Sequence, residues 1–163
     1  MEELLPAGQC CTFPGSLAKL DIRNGKILWQ TYTLLDNGGK LRGYTGAPIW
    51  GSSPSIDIFR GLVYVGTGKL YLSPADVLRC QAAQNNRTTP PSQPDQCFGT
   101  DVHFNSLMAF DINPGRIVWA KQLGGYDVFY FSCLVPNNLD CPPGPNLDAD
   151  FGEAPMLLSI RWR

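Results

Sequence analysis

One histidine, His103, is all the imidazole in this chain, and its scarcity removes whole chemistries. A hydrolase of the Gly-x-Ser-x-Gly type needs a His base, and that motif is itself absent. Paired His ligands and Cys-x-x-Cys are missing as well, which excludes the common zinc frameworks. Asp150-Phe-Gly152 mimics a kinase magnesium motif, but no phosphate-cradling Gly-rich loop with its Lys and no His-Arg-Asp accompanies it. Charge is sparse: 17% of residues, with a net charge of −1 and no Lys/Arg run, so neither nucleic acid nor an anionic membrane is expected as a partner. There is no apolar run of the roughly eighteen residues that a membrane span needs. The start, Met1-Glu-Glu-Leu-Leu-Pro-Ala7, lacks the basic-then-apolar order of a secretory signal.

What is plentiful points to strands. Seventeen Gly, fourteen Pro and few long helical patterns predict an all-β chain with many turns, and 44% hydrophobic residues allow an ordinary core. Fourteen residues recur almost intact: Ser16-Leu-Ala-Lys-Leu-Asp-Ile-Arg-Asn-Gly-Lys-Ile-Leu-Trp29 returns as Ser106-Leu-Met-Ala-Phe-Asp-Ile-Asn-Pro-Gly-Arg-Ile-Val-Trp119, with seven identical positions. This is a repeated β-hairpin, expected over 16–30 and 106–122, and repetition of one such unit marks an architecture assembled from copies. Asn24-Gly25 is read as the pair of positive-φ residues in a tight turn, with Pro114-Gly115 in the same slot. Asp21 and Asp111 close the first strand of each copy, where a short carboxylate caps turn amides. Both tryptophans are expected to wedge between neighbouring sheets.

Trp50–Asp57 and Gly61–Thr67 read as two strands, with Leu62-Val-Tyr-Val-Gly66 the clearest run. With the second hairpin they make one antiparallel four-stranded blade, while 70–104 is an inserted loop, 124–153 a polar excursion, and 154–160 the start of another strand. Residues 1–163 thus read as about one full blade plus parts of two others. Radial repetition protects sheet edges only when a ring closes, so the expectation is an incomplete propeller segment whose remaining blades lie elsewhere in a longer parent chain. A small two-sheet sandwich containing two similar hairpins is the plainer alternative.

Six cysteines suggest local staples, Cys80 with Cys97 and Cys133 with Cys141, chosen on loop proximity. Asn86-Arg87-Thr88 fits a glycosylation acceptor, and together these features favour an oxidising compartment, secretory, extracellular or periplasmic. A truncated parent would account for the missing signal. For Cys10-Cys11, a strained adjacent disulfide, separate partners in a longer chain and two free thiols stand open.

The consensus strand-Asp-x-x-x-Gly-Lys/Arg-x-x-Trp resembles the repeat of pyrroloquinoline quinone (PQQ) dependent dehydrogenases, eight-bladed propellers that oxidise alcohols. Ala47-Pro-Ile-Trp-Gly-Ser-Ser-Pro-Ser-Ile-Asp57 with Gly61-Leu-Val-Tyr-Val-Gly-Thr-Gly68 resembles the blade that, in this family, holds the cofactor-stacking Trp and a calcium ligand. The tract Cys133–Pro155, with Asn138-Leu-Asp-Cys-Pro142 and Asp148-Ala-Asp-Phe-Gly-Glu-Ala-Pro155, resembles the polyvinyl-alcohol-dehydrogenase-like branch. Some family members carry an adjacent-cysteine disulfide against PQQ, but several blades upstream of the Trp; Cys11 precedes Trp50 by one hairpin only, so that role is not carried over.

The resemblance implies that Trp50 floors the planar quinone, where stacking buries apolar area and fixes the orientation of a hydride acceptor; a core Trp is the plain alternative. It implies that Asp101 is the catalytic base taking the alcohol proton, with a possible hand in binding calcium, although an ordinary loop Asp fits the spacing better. His103, two positions away, reads as a loop residue near the same mouth. Lys69 departs from the pattern: where the family carries an oxygen donor after Gly-Thr-Gly, this chain has an ammonium with no lone pair for a hard cation. Calcium is therefore doubtful, and Lys69 either supplies the ion's charge and holds the quinone's anionic oxygens or marks a propeller without its chemistry. Asp148 and Asp150 are further candidates for a metal or a substrate hydroxyl, with a solvated turn the plainer reading. The parent is expected to act on a small alcohol or polyol; the alternative is a non-catalytic PQQ-repeat scaffold.

Overall fold

The computed structural model describes residues 9–51, 53–84, 95–129, 131–137, 141 and 147–160. Among the described residues eight strands form three antiparallel sheets: β1 (Ser16–Leu20) with β2 (Ile27–Tyr32), β3 (Thr45–Gly46) with β6 (Leu70–Leu72), and a four-stranded sheet in the order β4 (Ser55–Asp57), β5 (Leu62–Gly66), β7 (Ser106–Asp111), β8 (Ile117–Gln122). The mostly β class and a four-stranded antiparallel sheet agree with the sequence. No closed barrel or ring forms among the described residues, and the blade number of any larger assembly lies beyond them.

The large sheet follows the two-residue period of its strands. Val63 and Val65 on β5 and Met108 and Phe110 on β7 face one side, all buried, and Leu17 of β1 packs over them with Ile49, Ile112, Ile117 and Ala120. Burial of each such side chain contributes about 1.5–3 kcal/mol, so this layer is what seats the first hairpin on the sheet. A second core of Leu34, Ala47, Leu70, Val102, Phe104, Tyr126 and Val128 lies beneath the loops. Between the two cores runs a polar seam: the buried Thr33 hydroxyl donates to Ala47 O at 2.8 Å, His103 N–H donates to Thr33 O at 2.9 Å, and the Thr67 hydroxyl donates to His103 O at 2.7 Å.

Both hairpin turns use the same bonds. Gly25 N–H donates to Asp21 O at 2.8 Å and Gly115 N–H to Asp111 O at 2.9 Å, while the Asp carboxylates accept Arg23 N–H and Asn113 N–H, each at 2.9 Å. The capping role expected of the two aspartates is therefore present. The turn itself is longer than expected: a four-residue loop in which only the glycine is left-handed, φ 72° at Gly25 and 75° at Gly115. That corrects the reading of Asn24 as a second positive-φ residue and explains Pro114, whose ring fixes φ near −65°. The β4–β5 connection, Asp57-Ile-Phe-Arg-Gly61, has the same form, with Asp57 accepting Arg60 N–H at 3.0 Å and Gly61 at φ 65°.

Three further expectations change. The inserted segment 70–104 is not all loop: it holds β6 and a helix, α1 (Ala75–Gln84), stapled by Cys80–Cys97. Residues 154–160 belong to no strand. The excursion after Gly124 begins with the buried Gly125–Val128, because the Tyr126 and Val128 side chains complete the loop core. The Cys80–Cys97 and Cys133–Cys141 staples form as read, and Cys10 pairs with Cys11; among the described residues no cysteine is free. The Asn86 acceptor site and Asn138-Leu-Asp140 lie outside the described residues.

Candidate functional site

At one end of the four-stranded sheet, β5 leaves through Gly66-Thr-Gly-Lys69 and is crossed by a distant segment, 147–155. The crossing is pinned along its length. Asp127, 1% exposed, accepts Leu147 N–H at 3.0 Å and Ala149 N–H at 2.7 Å. Phe151 fills the space in front of Gly66, Glu153 and Ala154 lie on Gly51, and the Ser55 hydroxyl bonds Pro155 O.

The charged centre sits under this strap. Lys69, 4% exposed, places its Nζ 2.6 Å from Asp148 Oδ1 and 2.9 Å from Asp150 Oδ2. The Lys69 backbone N–H also donates to Asp150 Oδ1 at 2.7 Å, so one carboxylate grips both ends of the residue. Gly68 makes this possible, since a Cβ there would strike the Asp150 carboxylate and crowd Trp50 Nε1. The Trp50 indole lies with its Nε1 edge against Gly68 while the side chain stays 43% exposed. Phe129 and Tyr71 complete the surround, with ring centroids 5.2 and 6.0 Å from the ammonium.

Burial opposes the charge on Lys69, but hydrogen bonds from Asp148 and then Asp150, together with their charges, outweigh it and hold the ammonium above the usual lysine range. Burial pushes the Asp127 carboxyl upward against the strap amides and the field of Lys69. Four residues singled out in the sequence, Trp50, Lys69, Asp148 and Asp150, therefore meet. Asp101 is not among them: it is exposed in the turn before β7, where its charge acts on His103. Burial pulls the His103 pKa down, and Asp101 partly offsets this.

Asp127 escaped the sequence reading. A lone carboxylate inside the apolar run Tyr126-Asp-Val-Phe129 was the available signal, since a buried acid needs partners. Those partners lie about twenty residues away and no local pattern announces them.

Two curated relatives cover nearly all of this chain. A polyvinylalcohol dehydrogenase of Pseudomonas sp is 30% identical over 165 residues, taking in 94% of this chain and 21% of the relative. A second, from Sphingopyxis sp. (strain 113P3), is 30% identical over 166 residues, taking in 93% and 21%. The chain is similar to one stretch of these polyvinylalcohol dehydrogenases. It spans about a fifth of the length of these dehydrogenases, 21% in each comparison, and the site described above lies within the span they share. No family model matches the chain, and no solved structure does.

The calcium that the quinone family implies does not fit what is present. Such an ion takes about six to eight oxygen ligands. Among the described residues no three His, Cys, Asp or Glu side chains converge on one point, and the space between Asp148 and Asp150 is filled by the Lys69 ammonium. Beside this cluster Trp50 leaves part of its indole accessible, 43% exposed. No helix among the described residues is long and apolar enough to cross a membrane.

Proposed function

We propose that this chain forms one sector of a quinoprotein-type propeller, eight-bladed in its parent, that oxidises alcohols or polyols with PQQ as hydride acceptor outside the cytoplasm. The observation that carries this reading is Trp50: a large, partly exposed indole lying against Gly68 at the end of the four-stranded sheet, beside a buried cation. PQQ when bound would supply the two-electron acceptor. Trp50 would support its flat face, and the single N–H that two carboxylates leave free on Lys69 would meet an anionic oxygen. For the proton acceptor, Asp101, exposed in the turn before β7, stays the candidate the resemblance offers, whereas Asp127 is buried with both oxygens on the amides of Leu147 and Ala149 and serves to position the strap. Sheet edges left open here would be covered by the remaining blades of the parent chain, which are its first partners.

The test is PQQ binding by equilibrium dialysis to the full chain and to Trp50→Leu. The variant is expected to bind at least tenfold more weakly, and equal binding would remove Trp50 from the site. Dye-linked alcohol oxidation by the chain with PQQ is expected to be nil, because turnover, unlike stacking on one indole, needs substrate and quinone enclosed by walls from other blades; turnover would contradict the sector reading. One observation favours a second reading, a PQQ-repeat scaffold without chemistry: Lys69 spends most of its donors on its own chain. Retained quinone binding separates the two.

A further inference from the structure

We infer that Lys69 is a built-in cation that closes this site to divalent metals, so that a charge a metal would otherwise carry is covalently part of the chain. The inference stands on the ion cluster and not on the quinone.

The geometry is that of a counter-ion and not of a surface ion pair. Asp148 and Asp150 are two residues apart in the strap and both carboxylates reach Lys69, Asp148 from a left-handed backbone at φ 56°. Asp127 sets that orientation by holding the amides of Leu147 and Ala149, on either side of Asp148. The Lys69 side chain is 6% exposed, and only a residue without a side chain at position 68 lets the Asp150 carboxylate reach both the Lys69 N–H and Nζ. A buried ammonium left alone would shed its proton; here the two carboxylates raise its pKa, so it stays charged across the whole physiological range. Its three donors need acceptors at hydrogen-bond distance, whereas calcium needs oxygens at about 2.3–2.6 Å on several sides. The same two carboxylates therefore serve one cation or the other. With Lys69 replaced by a short neutral residue, Asp148 and Asp150 would face a cavity the size of the lost side chain with no compensating charge.

The probe is terbium(III), read by emission excited through tryptophan, because Trp50 lies against Gly68 beside Asp150. Calorimetric titration with calcium chloride is run in parallel on the full chain, Lys69→Ala, Lys69→Arg, and Lys69→Ala combined with Asp150→Asn. The unaltered chain and Lys69→Arg are expected to give no saturable emission. Lys69→Ala is expected to gain saturable binding of both ions, at least tenfold tighter than the unaltered chain, and the double variant is expected to lose it. A folded Lys69→Ala, checked by circular dichroism, that binds no better than the unaltered chain would overturn the inference. Should that variant not fold, the unaltered chain decides alone: its melting temperature is expected to be the same in millimolar calcium and in chelator, and a calcium-dependent rise would overturn the proposal.

Discussion

Trp29 and Trp119 hold the same place in two copies of one hairpin, yet they are used differently. Trp29 reaches across to the second copy: its indole N–H donates to Ile112 O at 3.2 Å, and its ring lies on Gly115. Lys19 Nζ and the Thr31 hydroxyl reinforce the contact, donating to Ile112 O at 3.0 Å and to Gly115 O at 2.7 Å. Trp119 instead leans on Tyr64 of its own sheet, centroids 5.9 Å apart, and is 39% exposed. The comparison teaches that the hairpin encodes a plug and a socket, Trp on one strand and turn carbonyls on the other, and that only adjacency of copies determines whether they join. The turn isoleucines agree: Ile112, under the docked Trp29, packs in the core, whereas its counterpart Ile22 is 99% exposed.

The largest break in this symmetry is expected at the turn glycines. Gly115→Ala should cost about 3 kcal/mol, a sum of the left-handed backbone and a methyl driven into the Trp29 ring. Gly25→Ala pays the backbone term alone, about 1 kcal/mol, because nothing lies within 4 Å of its Cβ position. Urea unfolding of the two variants checks the difference, and equal costs would mean that the hairpins do not dock. Next come the tryptophans: Trp29→Ala is expected to lose about 2–3 kcal/mol and Trp119→Ala about 1 kcal/mol, both below a fully buried ring. If a longer chain supplies another turn opposite Trp119, the two values should converge there.

The smallest effect is a pH dependence at the junction between the copies. Burial depresses the His103 pKa, with Asp101 partly offsetting it, so the folded chain prefers neutral imidazole while the unfolded chain takes a proton near pH 6.5. Stability from this group is therefore complete above about pH 6.5 and is lost as pH falls toward the folded value. Thermal melts between pH 7.5 and about pH 5 should show the decline. His103→Gln should flatten it, and Asp101→Asn should widen the affected range downward.

What was legible in the sequence is what strand period and turn chemistry write locally. The two hairpins, their capping aspartates, the four-stranded sheet and two of the disulfides all span short separations or repeat. Trp50 and Lys69 were legible as a pair, being joined by one β-hairpin. The strap was not: Lys69 meets Asp150 across a separation of 81 residues, and nothing near either residue specifies the other. Asp127 was hidden for a related reason, since its bonds go to backbone amides, which leave no trace in side-chain pattern. Helix α1 lay unseen inside a segment whose Pro and Asn content reads as loop.

The glycines at 51, 66 and 68 give the crossing a signature that any homologous sequence can be searched for. Each is a vacancy that the distant segment occupies; a lineage that drops the segment is free to grow side chains at 66 and 68, while Gly51, at φ 90°, is held to glycine by its backbone as well, and a lineage that grows a side chain at 68 has shut the segment out. The presence of all three alongside an Asp-x-Asp-Phe-Gly tract thus forecasts a closed mouth before any coordinates exist.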